Sequence, residues 1–201
     1  MVHLSVESIK LGPNGPNEES PQNAAPRPIE VVRTYLSLPS LADLRPSSAP
    51  ELAVRLERLV PCPVDRWRAL YAQIGAPWHW HDRDAWEDAR VQQHLARAEV
   101  QVYQLVIDTD SGAATTAGFL ELERHQDGAM EIVYLGIDRT VFGRGIGGWL
   151  LTEAVRLAFA DGANRVWLHT CTLDGPAALP NYQRRGFQIE RTETYEATVT
   201  A

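Results

Sequence analysis

Cysteine is scarce in this sequence, and long apolar runs are missing. Cys62 and Cys171 are the only cysteines among 201 residues, too few for a disulfide framework. No apolar run approaches the roughly 18 residues of a membrane span. The first residues also lack a charged stretch followed by an apolar one, the pattern of a secretory signal. We therefore expect a cytoplasmic protein without a membrane partner.

An excess of basic charge is absent as well. The chain has 19 Lys and Arg against 26 Asp and Glu, a net charge of −7 at pH 7. Nucleic-acid binders usually carry a basic face, so this balance predicts no nucleic-acid partner and is mildly favourable for a cationic substrate. With 44% apolar residues, the chain is long enough for one sizeable domain and short for two.

The composition of the chain changes near residue 28. Residues 11–28 hold five prolines, two glycines and three asparagines, and such a segment cannot bury enough apolar surface to offset the entropy of ordering it. We predict a flexible N-terminal arm over residues 1–28 and a single folded domain over residues 29–201.

Hydrophobic periodicity predicts the elements of this domain. Strands are expected over residues 29–38, 99–108, 115–124, 130–138, 165–171 and 187–199, and helices over 63–75, 84–97, 145–160 and 176–185. Asp84 and Glu87 fit a capping box, and Pro180 should interrupt the last helix before Tyr182. Short polar links between the strands of residues 99–138 favour antiparallel hairpins. The order predicts an α+β fold, not a doubly wound one.

A glycine-rich stretch, residues 136–151, matches two phosphate-binding patterns. Gly143, Gly145 and Gly148 satisfy the dinucleotide pattern G-x-G-x-x-G, and Asp174 lies near the place of a ribose-binding acid. However, residues 139–142 separate the predicted strand end from the first glycine, and only about fifty residues follow the loop. A dinucleotide domain needs more chain than this. No Lys-Ser or Lys-Thr pair follows the glycines, which excludes a P-loop.

Backbone N–H groups at such a strand-to-helix turn can cradle a pyrophosphate, aided by the helix dipole. Glycines let a ligand approach the backbone closely, and Arg144 could add a charge-assisted contact. The alternative is a glycine-rich turn that only permits tight packing of strand on helix.

The loop Phe142-Gly-Arg-Gly145-Ile-Gly147 resembles the signature of the GNAT superfamily of acetyl-CoA-dependent N-acetyltransferases. A second signature of that family, a tyrosine followed after three residues by Gly-Phe, is matched by Tyr182 and Gly186-Phe187. Phe142 departs from the family's Gln or Arg, and Asp174 stands where Asn is frequent. The resemblance covers roughly residues 99–197 and, more weakly, the strand from residue 29. It implies a mixed, mostly antiparallel central sheet flanked by helices.

The resemblance also implies where acetyl-CoA binds: in a cleft where the parallel strands 130–138 and 165–171 splay apart. Backbone near Leu135 and Ile137 would meet the pantetheine, and the amides of residues 142–147 would take the pyrophosphate. The full set of expected cofactor-binding residues is Leu135, Ile137, Phe142, Gly143, Arg144, Gly145, Ile146, Gly147, Gly148 and Asp174.

Two residues are candidates for the proton transfers. Glu131 stands among apolar neighbours and, by strand alternation, shares a face with Val133, Leu135 and Ile137. Burial there would raise its pKa and suit it as the general base, as in the similar strand of the histone-acetylating branch of the family. The alternative is a glutamate at a strand end that faces water. Tyr182, at the family's tyrosine position, would protonate the departing thiolate, or would instead be a core tyrosine.

The acceptor site is expected between the first two helices. Four of the six tryptophans lie within twenty residues, and Trp78 and Trp80 are the candidates to hold the amine through cation–π contact. The alternative is that these rings plug the core. The histidines and aspartates of residues 79–84 lack a recognisable ligand spacing, so no metal is expected. His169 and Cys171 share a face of the strand that lines the cleft, where core roles are expected.

The sequence therefore predicts an N-acetyltransferase. It would pass the acetyl group from acetyl-CoA to a primary amine of a small molecule or peptide, by direct attack in a ternary complex. Two alternatives stay open: an acyl-CoA-binding sensor without turnover, and a transferase for a longer acyl chain. The family resemblance adds a homodimer, formed through the last strands, to the expected assemblies.

Overall fold

A seven-stranded sheet forms the centre of the computed structural model, which describes residues 27–108 and 114–199. Residues 1–26, most of the predicted arm, lie outside the described residues. The described elements, in chain order, are β1 (Arg27–Leu38), β2 (Val54–Arg58), α1 (Val64–Gly75), α2 (Asp88–Leu95), β3 (Val100–Asp108), β4 (Ala114–Arg124), β5 (Met130–Ile137), α3 (Ile146–Ala160), β6 (Val166–Cys171), α4 (Ala178–Arg184) and β7 (Gln188–Val199).

The strand order is β2-β3-β4-β5-β6-β1-β7. Every neighbouring pair is antiparallel except β5 and β6, which run parallel. The predicted α+β class, with a mostly antiparallel sheet flanked by helices, is confirmed. Sequence analysis missed β2, because the strand has only five residues, VRLER, and three of them are charged.

The position of β1 was not expected. This strand begins at Arg27, two residues before the predicted boundary, and lies between β6 and β7. It pairs antiparallel with both, so that Arg33 stands opposite Cys171 on one side and Glu193 on the other. Leu36 and Leu38 are fully buried in the core. The strand predicted from its β-branched and aromatic residues is therefore an interior strand of the sheet.

Helices cover the two faces of the sheet differently. On one face, α3 and α4 pack over β1, β4, β5 and β6, with a core that includes Leu36, Leu150 and Leu168. On the other, α1 and α2 pack over β3, β4 and β5 around Trp67 and Phe119. We call these the α3/α4 face and the α1/α2 face.

A bulge in β5 breaks the alternation assumed for Glu131. Tyr134 stands opposite Glu121 and Ile132 opposite Leu122, which leaves Val133 as the extra residue. Val133 and Tyr134 both pack on the α1/α2 face, whereas Leu135 packs on the opposite face. The expected shared face of Glu131 with Leu135 and Ile137 is therefore wrong, because the bulge shifts the period of two beyond Val133.

Two helix starts also differ from expectation. The second helix, α2, begins at Asp88, and Asp84 instead contacts His81, with 2.7 Å between carboxylate and ring nitrogen. The last helix begins at Ala178, which places Pro180 in its first turn. Backbone N–H groups of a first turn have no partner within the helix, so this proline interrupts nothing.

Candidate active site

A cleft opens between β5 and β6. The two strands pair only at Met130 with Val166 and at Glu131 with Trp167, and then diverge. The resulting cleft has a volume of about 660 Å³, within the usual range of small-molecule sites. It lies where the family resemblance implied, and residues of both sheet faces line it.

The glycine loop forms one end of this cleft. Gly143 and Gly145 have φ of 77° and 76°, in the left-handed region that disfavours side chains. A Cβ on either residue would meet nothing within 4 Å, so the backbone conformation, not crowding, requires glycine. Gly145 is the N-cap residue of α3, so no side chain at this position can accept hydrogen bonds from the first amides of the helix. The first turn of α3 also has no acidic residue. The free amides at this helix start can therefore bind an anion.

Most of the predicted cofactor-binding residues line the cleft: Leu135, Ile137, Phe142, Gly143, Gly145, Gly147, Gly148 and Asp174. The side chain of Ile146 is instead buried in the core, so only its backbone can serve a ligand. Arg144 is exposed and does not line the cleft, and its charge-assisted contact with a ligand stays a prediction.

Asp174 has a structural contact in addition to its place in the cleft. Its carboxylate accepts hydrogen bonds from the Thr170 hydroxyl at 2.5 Å and from the Cys171 amide at 3.0 Å. These bonds close the turn that follows β6. The carboxylate is therefore partly committed to shaping the cleft wall.

Helix α4 supplies residues that sequence reasoning missed. The Asn181 amide donates to the carbonyl of Gly147 at 3.2 Å, and Arg184 lines the cleft. The Arg185 guanidinium packs so close to Gly148 that an added Cβ would lie 2.8 Å from its Nη1 atom. The run of residues 181–185, two arginines beside the signature tyrosine, was the signal available. Positive charge at this end of the cleft suits an anionic ligand.

Tyr182 lines the cleft from the α3/α4 face. Its side chain is 8% exposed, and its ring meets Phe187 edge-on at 6.2 Å. Burial raises its pKa, so the phenol stays protonated at neutral pH. No hydrogen bond to its hydroxyl is present among the described residues. Tyr182 is thus a nearly buried, protonated phenol that forms part of the cleft lining.

Glu131 lies below the cleft, where β5 and β6 are still paired, and does not line it. Its carboxylate is 2.8 Å from Nε2 of His125, whose side chain is 38% exposed. Burial raises the pKa of Glu131, and His125 opposes that rise. The expected direction of the pKa shift is confirmed, but direct access to the cleft is not part of the structure.

Trp78 and Trp80, the predicted acceptor residues, both line the cleft. Trp80 also packs into the α1/α2 core, with its ring 4.8 Å from that of Tyr134. Trp78 stacks on Phe142 at 6.3 Å, and its ring lies 3.0 Å from an added Cβ at Gly175. Trp78 therefore bridges the loop after β5 and the turn after β6, at the mouth of the cleft.

The loop that carries these tryptophans also presents Asp82. The Tyr134 hydroxyl donates to one oxygen of its carboxylate at 2.5 Å, and the Tyr71 hydroxyl donates to the other at 3.1 Å. Two phenols thus fix the orientation of an acidic group that lines the cleft. Sequence reasoning had considered Asp82 only as a metal ligand.

A buried ionic cluster fastens this loop to the sheet. Glu121, fully buried in β4, accepts hydrogen bonds from Trp67 and Arg83, both at 2.7 Å, and lies 3.0 Å from Nε2 of His94. We call these four residues the Glu121 cluster. The Arg83 guanidinium also lies over the ring of Trp86 at 4.6 Å. Since Arg83 follows Asp82 directly, the cluster holds the acidic group in place.

The far wall of the cleft belongs to β6 and β1. His169 lines it, and its ring meets Tyr35 edge-on at 5.7 Å. Desolvation by the surrounding protein lowers the pKa of His169, and the Arg33 guanidinium lowers it further, which leaves a neutral imidazole. Burial raises the pKa of the Cys171 thiol, so this cysteine is not an activated nucleophile.

The described ranges contain neither a cluster of metal ligands nor a membrane-spanning helix. Residues 27–108 and 114–199 hold no group of three or more His, Cys, Asp or Glu side chains placed to bind a metal ion. The helices of the same ranges are each too short or too polar to cross a membrane.

Solved structures resemble this fold. A GCN5-related N-acetyltransferase from Sphaerobacter thermophilus matches with a TM-score of 0.59 and 21% identity, over 86% of this chain and 53% of that chain. An aminoglycoside acetyltransferase from an uncultured soil metagenomic sample matches with a TM-score of 0.52 and 18% identity, over 65% of this chain and 85% of that chain. These likenesses show the fold.

Sequence comparison identifies relatives and a family. A mycothiol acetyltransferase from Mycolicibacterium vanbaalenii is 27% identical over 192 residues, which cover 92% of this chain. The match covers 62% of that relative, so this chain spans slightly less than two thirds of its length. The model of the acetyltransferase (GNAT) family matches residues 65–187, more than half of the chain, including the splayed strands, the glycine loop and the signature tyrosine. The chain therefore belongs to the acetyltransferase (GNAT) family.

Proposed function

We propose that this protein transfers the acetyl group of acetyl-CoA to a primary amine of a small molecule or peptide, by direct attack in a ternary complex. The observation that carries this proposal is the continuity of the cleft. One cavity is lined by the glycine loop and Tyr182 at one end and by Trp80 and Asp82 at the other. Both substrates can thus be bound together, with the reacting atoms between the splayed strands.

Acetyl-CoA fits the end of the cleft on the α3/α4 face. The amides around Gly145 and the start of α3 would take the pyrophosphate, with Arg184 close by. Leu135 and Ile137 would flank the pantetheine. Because β5 has no strand partner beyond Glu131 on its β6 side, backbone groups there are free to hydrogen-bond the pantetheine amides.

The reaction needs two proton transfers. The neutral amine attacks the thioester carbonyl carbon, the C–S bond breaks, and the thiolate takes a proton from the Tyr182 hydroxyl. We assign the amine's proton to Glu131, through water in the cleft. Burial raises the pKa of Glu131, which makes its carboxylate a stronger base, and His125 offers a path from that carboxylate to solvent. His169 is the competing acceptor, because its neutral ring already lines the cleft.

The test is thiol release from acetyl-CoA, measured from pH 5 to 9 with a panel of amines. The panel includes an amine related to mycothiol, because the sequence relatives are named mycothiol acetyltransferases. Glu131→Gln should lower kcat at least tenfold and abolish the rise in rate that follows ionisation of Glu131 as pH increases. His169→Gln is the matched variant. If it removes the inflection and Glu131→Gln does not, His169 is the base and our assignment is wrong.

The two alternatives have their own outcomes. Calorimetric binding of acetyl-CoA without thiol release for any amine would support a sensor. Faster turnover with hexanoyl-CoA than with acetyl-CoA would support a transferase for longer acyl chains.

A further inference from the structure

Arg33 is an unusual cation in the wall of the cleft. It lies on β1 opposite Cys171, at the wide end of the splay, and lines the cleft. By strand alternation it shares the α1/α2 face with Tyr35, whereas Leu36 points into the core under α3. Arg33 therefore lies on the opposite side of the sheet from the start of α3, where the pyrophosphate would bind. The CoA phosphates do not explain it.

Arg33 forms no direct salt bridge with any described residue, although Glu193 stands opposite it on β7 and accepts a hydrogen bond from Tyr35. Its guanidinium lies 4.9 Å over the ring of Tyr195 and donates a long hydrogen bond, at 3.5 Å, to the Tyr195 hydroxyl. A hydrogen bond with Tyr35 raises the pKa of Arg33. Its Nε atom is buried and has no hydrogen-bond partner in the described chain. Neighbouring arginines on the same half of the sheet differ: Arg165 pairs with Glu190, and Arg191 pairs with Glu193.

A buried donor without a partner is rare in folded proteins, and a charged one especially so. Where such a group borders a cavity, an anionic ligand is the simplest partner for it. The cleft also contains a group of opposite charge, because Asp82 presents its carboxylate from the loop between α1 and α2. The acceptor end of the cleft thus carries one fixed cation and one fixed anion.

We propose that the acceptor carries a carboxylate as well as its amine, as free amino acids do, with Arg33 binding the carboxylate and Asp82 attracting the amine end. This inference rests on the proposed function and narrows its substrate class. Arg33 would hold the carboxylate through charge-assisted hydrogen bonds from its guanidinium. Polyamines and other acceptors without an acid would leave Arg33 unpartnered.

Matched acceptor pairs test the proposal. Phenylalanine is compared with phenylethylamine, and tryptophan with tryptamine, by kcat/KM in the thiol-release assay. We expect the amino acid of each pair to be favoured at least tenfold. Arg33→Met should reduce kcat/KM for the amino acid at least tenfold more than for its decarboxylated partner, and Arg33→Lys should restore part of that difference.

Arg191→Met is the matched control, because Arg191 also lies over a tyrosine ring, that of Tyr35, but is paired with Glu193. It should change neither member of a pair. Wild-type preference for the decarboxylated amines, or equal losses on both members in Arg33→Met, would overturn the proposal.

Thermal shift gives a second readout that does not depend on turnover. Amino acids should raise the Tm of the acetyl-CoA-bound wild type and not that of Arg33→Met; equal shifts in both proteins refute the carboxylate site. Failure of the proposed function would look different: no thiol release with any amine, whatever the thermal shifts show.

Discussion

Replacing Arg83 by methionine should destabilise the protein by about 3–5 kcal/mol at pH 7, the usual cost of removing one partner of a buried ion pair. Glu121 is 0% exposed and Arg83 7% exposed, so water could not hydrate the Glu121 carboxylate once the Arg83 guanidinium is removed. Trp67 and His94 would still contact Glu121, but neither carries the permanent positive charge that balances it. Methionine fills much of the same volume, so the loss reports mainly on charge.

The same substitution should change the pH dependence of stability. In the wild type, burial alone would raise the pKa of Glu121, but the hydrogen bond of His94 and the charge of Arg83 outweigh it and lower the pKa. A lowered pKa stabilises the fold above the unfolded pKa, and this contribution disappears as pH falls through the folded pKa. Without Arg83 the pKa of Glu121 should rise above its unfolded value. The variant then gains stability on acidification relative to the wild type.

Urea unfolding at pH 5 and pH 8 measures both effects. The difference between wild type and Arg83→Met should be larger at pH 8 than at pH 5. Arg90→Met is the control, because Arg90 also lies over the Trp86 ring, at 4.1 Å, but is exposed. Its cost should stay within about 0.5 kcal/mol. A loss below about 1 kcal/mol for Arg83→Met, or a loss independent of pH, would refute the reasoning.

Other predictions concern the cleft. Gly145→Ala and Gly162→Ala should each lower the free energy of unfolding by about 1–2 kcal/mol, because alanine is strained in the left-handed backbone conformation of both residues. Calorimetry should find weaker acetyl-CoA binding only for Gly145→Ala. Weaker binding in both variants would show that the effect comes from lost global stability. Tyr182→Phe should lower kcat at least about tenfold with acetyl-CoA affinity unchanged, and an unchanged kcat would make Tyr182 a core ring only. Trp78→Ala should raise the rate of acetyl-CoA hydrolysis without amine, because it opens the mouth of the cleft to water.

Local patterns were sufficient to predict most of the strands and helices. The hairpins of β3, β4 and β5 followed from short glycine-containing links, and the glycine loop was placed correctly at the start of α3. The failures needed information that pattern does not carry. A bulge at Val133 moves the residues that follow it to the other face of the sheet, and the apolar residues of the strand give no sign of it. The face of Glu131 relative to Leu135 was therefore assigned wrongly.

The acceptor end of the cleft could likewise be predicted only in part from the sequence. Its aromatic residues were visible as a cluster, but Asp82 and Arg33 come from segments about fifty residues apart, and neither segment signals the other. Arg33 could be recognised as a candidate site residue only once the neighbours of β1 were known. The feature that singles it out is a buried Nε atom without a hydrogen-bond partner, which the sequence does not show.

The location of β1 also has a consequence for how the chain folds. Among the described strands β1 comes first in the chain, yet its two sheet neighbours, β6 and β7, come last, so that Arg27 pairs with Val199. Until β6 and β7 are synthesised, β1 lacks both of its strand partners, and closing the sheet requires contacts of very long sequence separation, which slow folding. We expect refolding to be limited by insertion of β1, and removal of this strand to leave β6 and β7 with unpaired edges that favour aggregation.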